Sequence, residues 1–262
     1  MNKQENKYIL SSVKNTLKVL NSFTKDQPEW GIRELAKHLQ LTHSTIQRIM
    51  VTLASEGYVT QDINSRKYRL GVRLLAFQNV ITSHLEIHEE SYPHLQELVK
   101  NTGETAHISI LEGAQLVYLH KVEPARPIRV FTEIGARVPC YCVAGGKVIL
   151  AYQSEQKIQE VIDEGLHPFT EKTVTDPDML RKQLREITEK GYTTTQGELL
   201  VEGEVLSIAA PIYNYFGTVF ASVSLVCIGQ RITDDMKLKY IERVKKTASK
   251  ISKDLGYYEQ NS

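Results

Sequence analysis

Residues 138–151 read VPCYCVAGGKVILA and bring two thiols, two glycines and a lysine close together. Three chemistries use such residues. A phosphate loop of the form GxxxxGK[ST] cradles an anion with backbone amides, and Gly146-Lys147 could end one. Its first glycine would then fall at Tyr141 and its hydroxyl at Val148, so the pattern fails. A structural metal needs further ligands, and Cys140 and Cys142 come with no second CxxC and no HxxxH; His107 and His120 are distant in sequence. A nucleophilic thiol needs a base beside it, and the sequence places none there. No catalytic residue, metal or cofactor is therefore expected. What remains is a glycine turn ahead of a helix over 147–152. The first amides of such a helix attract anions.

A second polar group lies near the front. In LTHSTIQRIMVTLASEGY, Ile46, Ile49, Met50 and Leu53 form one helical stripe. Thr42 is the expected N-cap, with Ser44 as the alternative, and Gly57 follows the last turn. The opposite face carries His43, Ser44, Thr45, Gln47, Arg48 and Thr52. Short donors and acceptors with one arginine suit base edges and phosphates in a major groove. Taken alone, the face would serve equally well as a solvated helix surface. Its neighbours favour the first reading. Residues 58–61 and 67–70 read as two short strands around the turn DINSR, with Arg66, Lys67 and Arg69 at or near the tip. Basic groups on such a wing would neutralise backbone phosphates.

The elements that must position these groups follow from periodicity. Segment 11–24 places Val13, Leu17, Leu20 and Phe23 on one helical face, and 32–40 does the same with Ile32, Leu35, Ala36 and Leu39. Few residues separate the second and third helices, so they must cross sharply, as in a helix-turn-helix. Residues 72–100 read as helical in two parts. Val72, Leu75, Ala76 and Val80 stripe the first part, and Pro93 is expected to open the second. After Gly103 the period changes to two, with strands expected at AHISIL, LVYLHKV, IRVFTEI, LSIAAPIYN and TVFASVSLVCI. Helices are expected at 154–164, at 177–190 between Asp176 and Gly191, and at 234–255. Strands grouped with helices outside them predict an α+β domain around one antiparallel sheet.

Composition and charge set the bounds. The hydrophobic fraction of 41% and charged fraction of 24% are those of a globular protein. No apolar run approaches the roughly 18 residues that span a bilayer. The start MNKQENKYIL lacks the apolar core of a secretory signal, and three cysteines are an odd count. A reducing cytoplasm is the expected setting. The net charge of +1 is unevenly placed. Twelve Lys+Arg against six Asp+Glu give residues 1–75 a charge of +6, and 20 against 25 give the remainder −5. A basic front on a mildly acidic body predicts that only the front meets a polyanion.

The chain resembles the IclR-type transcriptional regulators. The resemblance rests on LTHSTIQRIMVTLASEGYV, KYRLGVRLL, IGARVPCYCVAGGKVILA, LSIAAPIYN and FGTVFASVSL, in order along nearly the whole chain. It implies a cytoplasmic regulator of a metabolic operon, with a winged helix-turn-helix for double-stranded operator DNA over 1–71 and a linker helix over 72–90. An effector domain of GAF/profilin-like α+β fold over 91–262 would sense a small metabolite, expected to be acidic from the amides around Ala144–Gly146. It also implies a homodimer or a dimer of dimers. By position, the effector pocket would be built from Val138, Ala144, Gly145, Ser207 and Ser224. Val226 stands where some members carry a polar residue, which implies a less polar or differently shaped ligand. The alternative is an enzyme acting on a small organic acid with an appended DNA-binding domain. The body shows no close acid pair, no Ser/His/Asp signature and no cofactor loop to support it.

Overall fold

The computed structural model describes residues 10–24, 26–77, 86–125, 133–199 and 205–257. The chain divides into two compact units, residues 1–84 and 85–262. In the first, α1 (Ser11–Asn21), α2 (Ile32–Leu39) and α3 (His43–Ser55) precede a hairpin of β1 (Val59–Gln61) and β2 (Tyr68–Leu70). Leu35, Ile46, Met50, Leu53 and Val59 form the core. The α2–α3 turn is tight because Gln40 adopts a left-handed conformation, with φ of 53°. Thr42 caps α3, its hydroxyl accepting from the Thr45 amide at 3.3 Å. On α1 the buried face differs from the expected stripe. Val19 is fully buried with Phe23, whereas Val13 and Leu17 are exposed. Here packing against neighbouring helices, and not the apolar spacing alone, sets the helix rotation. Val72 and Leu75 are likewise exposed, and Val80 lies outside the described residues.

The second unit opens with α4 (Glu86–Thr102) and continues through β3 (Thr105–Glu112), β4 (Gln115–Val122) and β5 (Arg137–Pro139). Then come a 3-10 turn (Cys140–Cys142), α5 (Ala144–Ala151), α6 (Glu155–Asp163) and α7 (Pro177–Lys190). β6 (Thr193–Gln196), β7 (Val205–Tyr213), β8 (Val219–Ile228) and α8 (Asp234–Asp254) complete it. The sheet runs β5-β4-β3-β8-β7-β6, and each of its pairings is antiparallel. Strand alternation gives it two faces. Ile108, Ile208, Val223 and Leu225 point into a core closed by α4 and α8. The other face carries Ser207, Ser222 and Ser224 and is covered by α5, with α7 packed beyond it. Residues 126–132, most of the expected strand IRVFTEI, lie outside the described residues.

Two expectations are corrected. Pro93 does not open a helix; it lies inside α4. An internal proline costs about 3 kcal/mol, and the buried Ile87, Leu95, Leu98 and Val99 hold the helix together across it. The glycines of the opening motif do not form a turn before a helix at 147. They lie in the first turn of α5, which starts at Ala144. Neither is among the residues with positive φ. Their purpose is close approach. A Cβ on Gly146 would stand 2.3 Å from the Cys140 carbonyl oxygen, and one on Gly145 would stand 2.9 Å from Ser222 Oγ. The caps of α7 match expectation, with Asp176 accepting from the Met179 amide at 2.8 Å and Gly191 left-handed.

Candidate functional site

The first unit presents one helix face and one wing. His43, Ser44, Gln47, Arg48 and Thr52 are exposed on α3, and Thr45 is half-buried. The Thr42 hydroxyl lies 2.8 Å from Thr45 Oγ1 and 3.1 Å from Ser44 Oγ. The N-cap thus orders two of the polar groups. Thr45, Arg48 and Thr52 line a shallow groove with Ser12 and Thr16 of α1. Val51 is 57% exposed on the same side of α3, one turn past Gln47. A valine there suits a thymine methyl. Stripe counting passes over it, because apolar residues are assigned to the core by default.

Asp62 shapes the wing. Its carboxylate accepts from the Asn64 and Ser65 amides at 3.0 and 2.7 Å. The Ser65 amide and hydroxyl hold that carboxyl below its ordinary range. Arg66 and Arg69 are exposed on the hairpin. Lys67 turns the other way, with its ammonium 3.3 Å from Glu34 Oε1 of α2. Glu34 in turn accepts from the Gly31 amide at 3.0 Å, which with Lys67 holds its carboxyl below the usual range. Backbone bonds between Trp30 and Tyr68 at 2.8 and 2.9 Å tie the hairpin to the chain ahead of α2. Lys67 therefore fixes the wing, while Arg66 and Arg69 remain turned to solvent.

The second unit holds a partly open chamber of about 50 Å³ under the first turn of α5. Gly145 of α5, Ser207 of β7 and Ser224 of β8 line it together, beside Thr195, Val226 and Glu198. Cross-strand register explains the convergence: Ser207 opposes Val226, and Ala209 opposes Ser224. A bulge between Ile108 and Ser109 shifts the β4 register. Tyr118 thereby faces the chamber, while His120 stacks on His88 of α4 at 4.2 Å. Burial pushes the Tyr118 phenol up to about 12. His107, opposite Ser224, is pushed down to about 3 by burial and then by Lys121, so it is neutral. Cys142 stands on the chamber wall, with a thiol that burial pushes up to about 12.

Residues 12–62 match the family profile described as the IclR helix-turn-helix domain. Residues 79–253 match the one described as bacterial transcriptional regulator IclR C-terminal. The chain belongs to the IclR family. It is 29% identical over 250 residues to the HTH-type transcriptional regulator XynR of Escherichia coli, covering 95% of this chain and 98% of that one. To KipR of Bacillus subtilis it is 29% identical over 248 residues, covering 94% and 97%. The Thermotoga maritima IclR crystal structure is similar at a TM-score of 0.80 and 28% identity, covering 94% and 99%. This IclR-family protein is a ligand-responsive DNA-binding transcriptional regulator with an N-terminal helix-turn-helix domain and a C-terminal α+β domain.

Not every residue expected in the regulator's pocket reaches the chamber. Gly145, Ser207 and Ser224 do. Val138 sits on β5 opposite Leu116 and packs against the Leu116, Tyr118 and Ile149 cluster. Ala144 is fully buried among Cys140, Leu180 and Leu184, so only its backbone amide is left to offer. Helical rotation within α5 turns residue 145, and not 144, to the chamber. Glu198 went unforeseen. The loop after β6 brings it there, where its carboxylate lies 2.5 Å from Lys147 Nζ. Lys147 is 1% exposed and also donates to Gln183 Oε1 at 2.8 Å. Thr170 and Thr173 anchor the same loop by donating to the Gly197 and Glu198 carbonyls at 2.7 and 2.6 Å. A lysine beside the apolar run VILA is the one signal that sequence offered, since such a charge, once buried, must be paired.

Proposed function

We propose that this regulator senses a small, largely apolar effector in the chamber and that the effector's acidic group lies at the first turn of α5. The carrying observation is the convergence of Gly145, Ser207 and Ser224 from three elements on one chamber. Val143 provides no side-chain cap to α5, which leaves its first amides for a ligand. Ser224 and Ser207 add hydroxyl donors. Lining groups for proton transfer are poorly suited to catalysis, as the high pKa of Cys142 and Tyr118 illustrates, and this supports a sensing role rather than turnover. Residues 1–71 form the DNA-binding domain, 72–90 the linker and 91–262 the effector domain of a cytoplasmic homodimer or dimer of dimers.

On DNA, His43, Ser44, Gln47 and Val51 read base edges while Thr45, Arg48 and Thr52 hold the adjoining phosphates. Arg66 and Arg69 contact backbone from the wing, and Lys67 acts by positioning it. Calorimetry with metabolites selected by thermal stabilisation tests the pocket. Ser224→Ala should weaken binding about tenfold, the loss of one hydrogen bond to a charged group. Unchanged affinity would overturn the assignment. Arg48→Ala should abolish retardation of a selected operator fragment at protein concentrations that saturate the wild type, and undiminished retardation would remove α3 from the interface.

A further inference from the structure

Glu198 is the one charged residue that borders the chamber among the described residues. It also lines a second cleft with Lys147, Gln183, Glu186 and Lys190. Lys147 opens on that cleft and not on the chamber. Glu198 therefore borders both spaces, and Lys147 borders only the cleft. The pair is also fixed. Lys147 is buried and held from α7 by Gln183, and the Glu198 carbonyl is held by Thr173. Burial raises the Cys142 thiol most, Glu198 raises it further, and Lys147 opposes Glu198 more weakly.

We propose that Glu198 is a specificity-determining residue of the effector chamber, admitting a ligand end that donates a hydrogen bond and rejecting a second anionic group. This rests on the chamber being the effector site. The ligand class is then a small molecule with at most one acidic group and, at its other end, a hydroxyl or an ammonium for Glu198. A dianion of the same skeleton would set like charges together with little water between them. Lys147 offsets this only in part, because it borders the cleft and not the chamber.

A test need not await the effector. Ser224→Cys places a reporter thiol on the wall. Modification rates are measured with a cationic trimethylammonioethyl, an anionic sulfonatoethyl and a neutral methyl methanethiosulfonate, each normalised to its rate with a free small thiol. The protein without the reporter supplies the background from Cys140, Cys142 and Cys227, which burial pushes up to about 12. The cationic reagent should outpace the anionic one by about tenfold or more, as one like charge across a partly desolvated wall requires. In the Lys147→Met, Glu198→Gln double variant, which leaves no buried charge uncompensated, the ratio should fall to about twofold or less, a residual left to distant charges. An equal rate for both charged reagents in the otherwise native protein, or a preference unchanged in the double variant, overturns the proposal while leaving the chamber an effector site. Inertness of the reporter to the neutral reagent as well, repeated with Val226→Cys, overturns both readings, because no ligand could then enter. Circular dichroism confirms that each variant is folded.

Discussion

Lys147 keeps its ammonium in the core because Glu198 and Gln183 supply acceptors at 2.5 and 2.8 Å. Replacing it alone strands the carboxylate. Lys147→Ala should therefore destabilise the protein by about 3–5 kcal/mol, whereas exchanging both partners for neutral side chains should cost far less. Urea unfolding of the single and double variants separates the two cases. His107 makes a second prediction. Its folded pKa of about 3 lies below the ordinary 6.5, so between those values the unfolded chain binds a proton that the native state refuses. Stability contributed by neutral His107 is present above pH 6.5 and is lost as the pH falls toward 3. His107→Gln should flatten the pH dependence of the urea midpoint in that window, and an unaltered slope would place the acid sensitivity elsewhere.

At the level of elements, α5 connects the motif to the chamber. Its two glycines let a helix descend onto the Cys140–Cys142 turn on one side and onto the serine face of β8 on the other. Gly146→Ala forces a methyl to within 2.3 Å of a backbone oxygen that cannot swing aside. Overpacking of this kind costs about 1–3 kcal/mol, and the effector's affinity should fall with the displacement of α5. Calorimetric unfolding and ligand titration of this variant check both effects. The wing is a second element with divided labour. Arg69→Ala should reduce the slope of log affinity against log salt by about 0.9 for each phosphate that the arginine neutralises. Lys67→Ala should instead loosen the hairpin from α2, because Glu34 loses its partner. Fluorescence anisotropy across a salt series distinguishes the two.

For the molecule as a whole, charge and ligand act on different units. The excess of basic residues belongs to residues 1–75 and the acidic excess to the remainder, so DNA affinity and effector affinity should respond differently to ionic strength. DNA binding should fall steeply with salt. Effector binding inside a desolvated chamber should change little, since screening acts mainly on exposed charges. An effector at about a hundred times its dissociation constant should stabilise the protein by about 2.7 kcal/mol, because it binds the folded state alone. Thermal melts with and without ligand check this.

The sequence by itself determined the order and type of most elements: the caps of α3 and α7, the two-residue alternation of β3, β4, β7 and β8, and the polar face of α3. These are local, since hydrogen bonds and side-chain periods within a few residues decide them. It also carried the family, because ordered motifs survive along the whole chain. Only the tertiary structure decided which of those residues meet. The rotation of α1 that buries Val19, the exclusion of Val138 and Ala144 from the chamber, and the arrival of Glu198 beside Lys147 depend on packing between segments far apart in the chain. So does the passage of α4 through Pro93. Local propensity disfavours it there, and burial of the face on both sides overrides that preference.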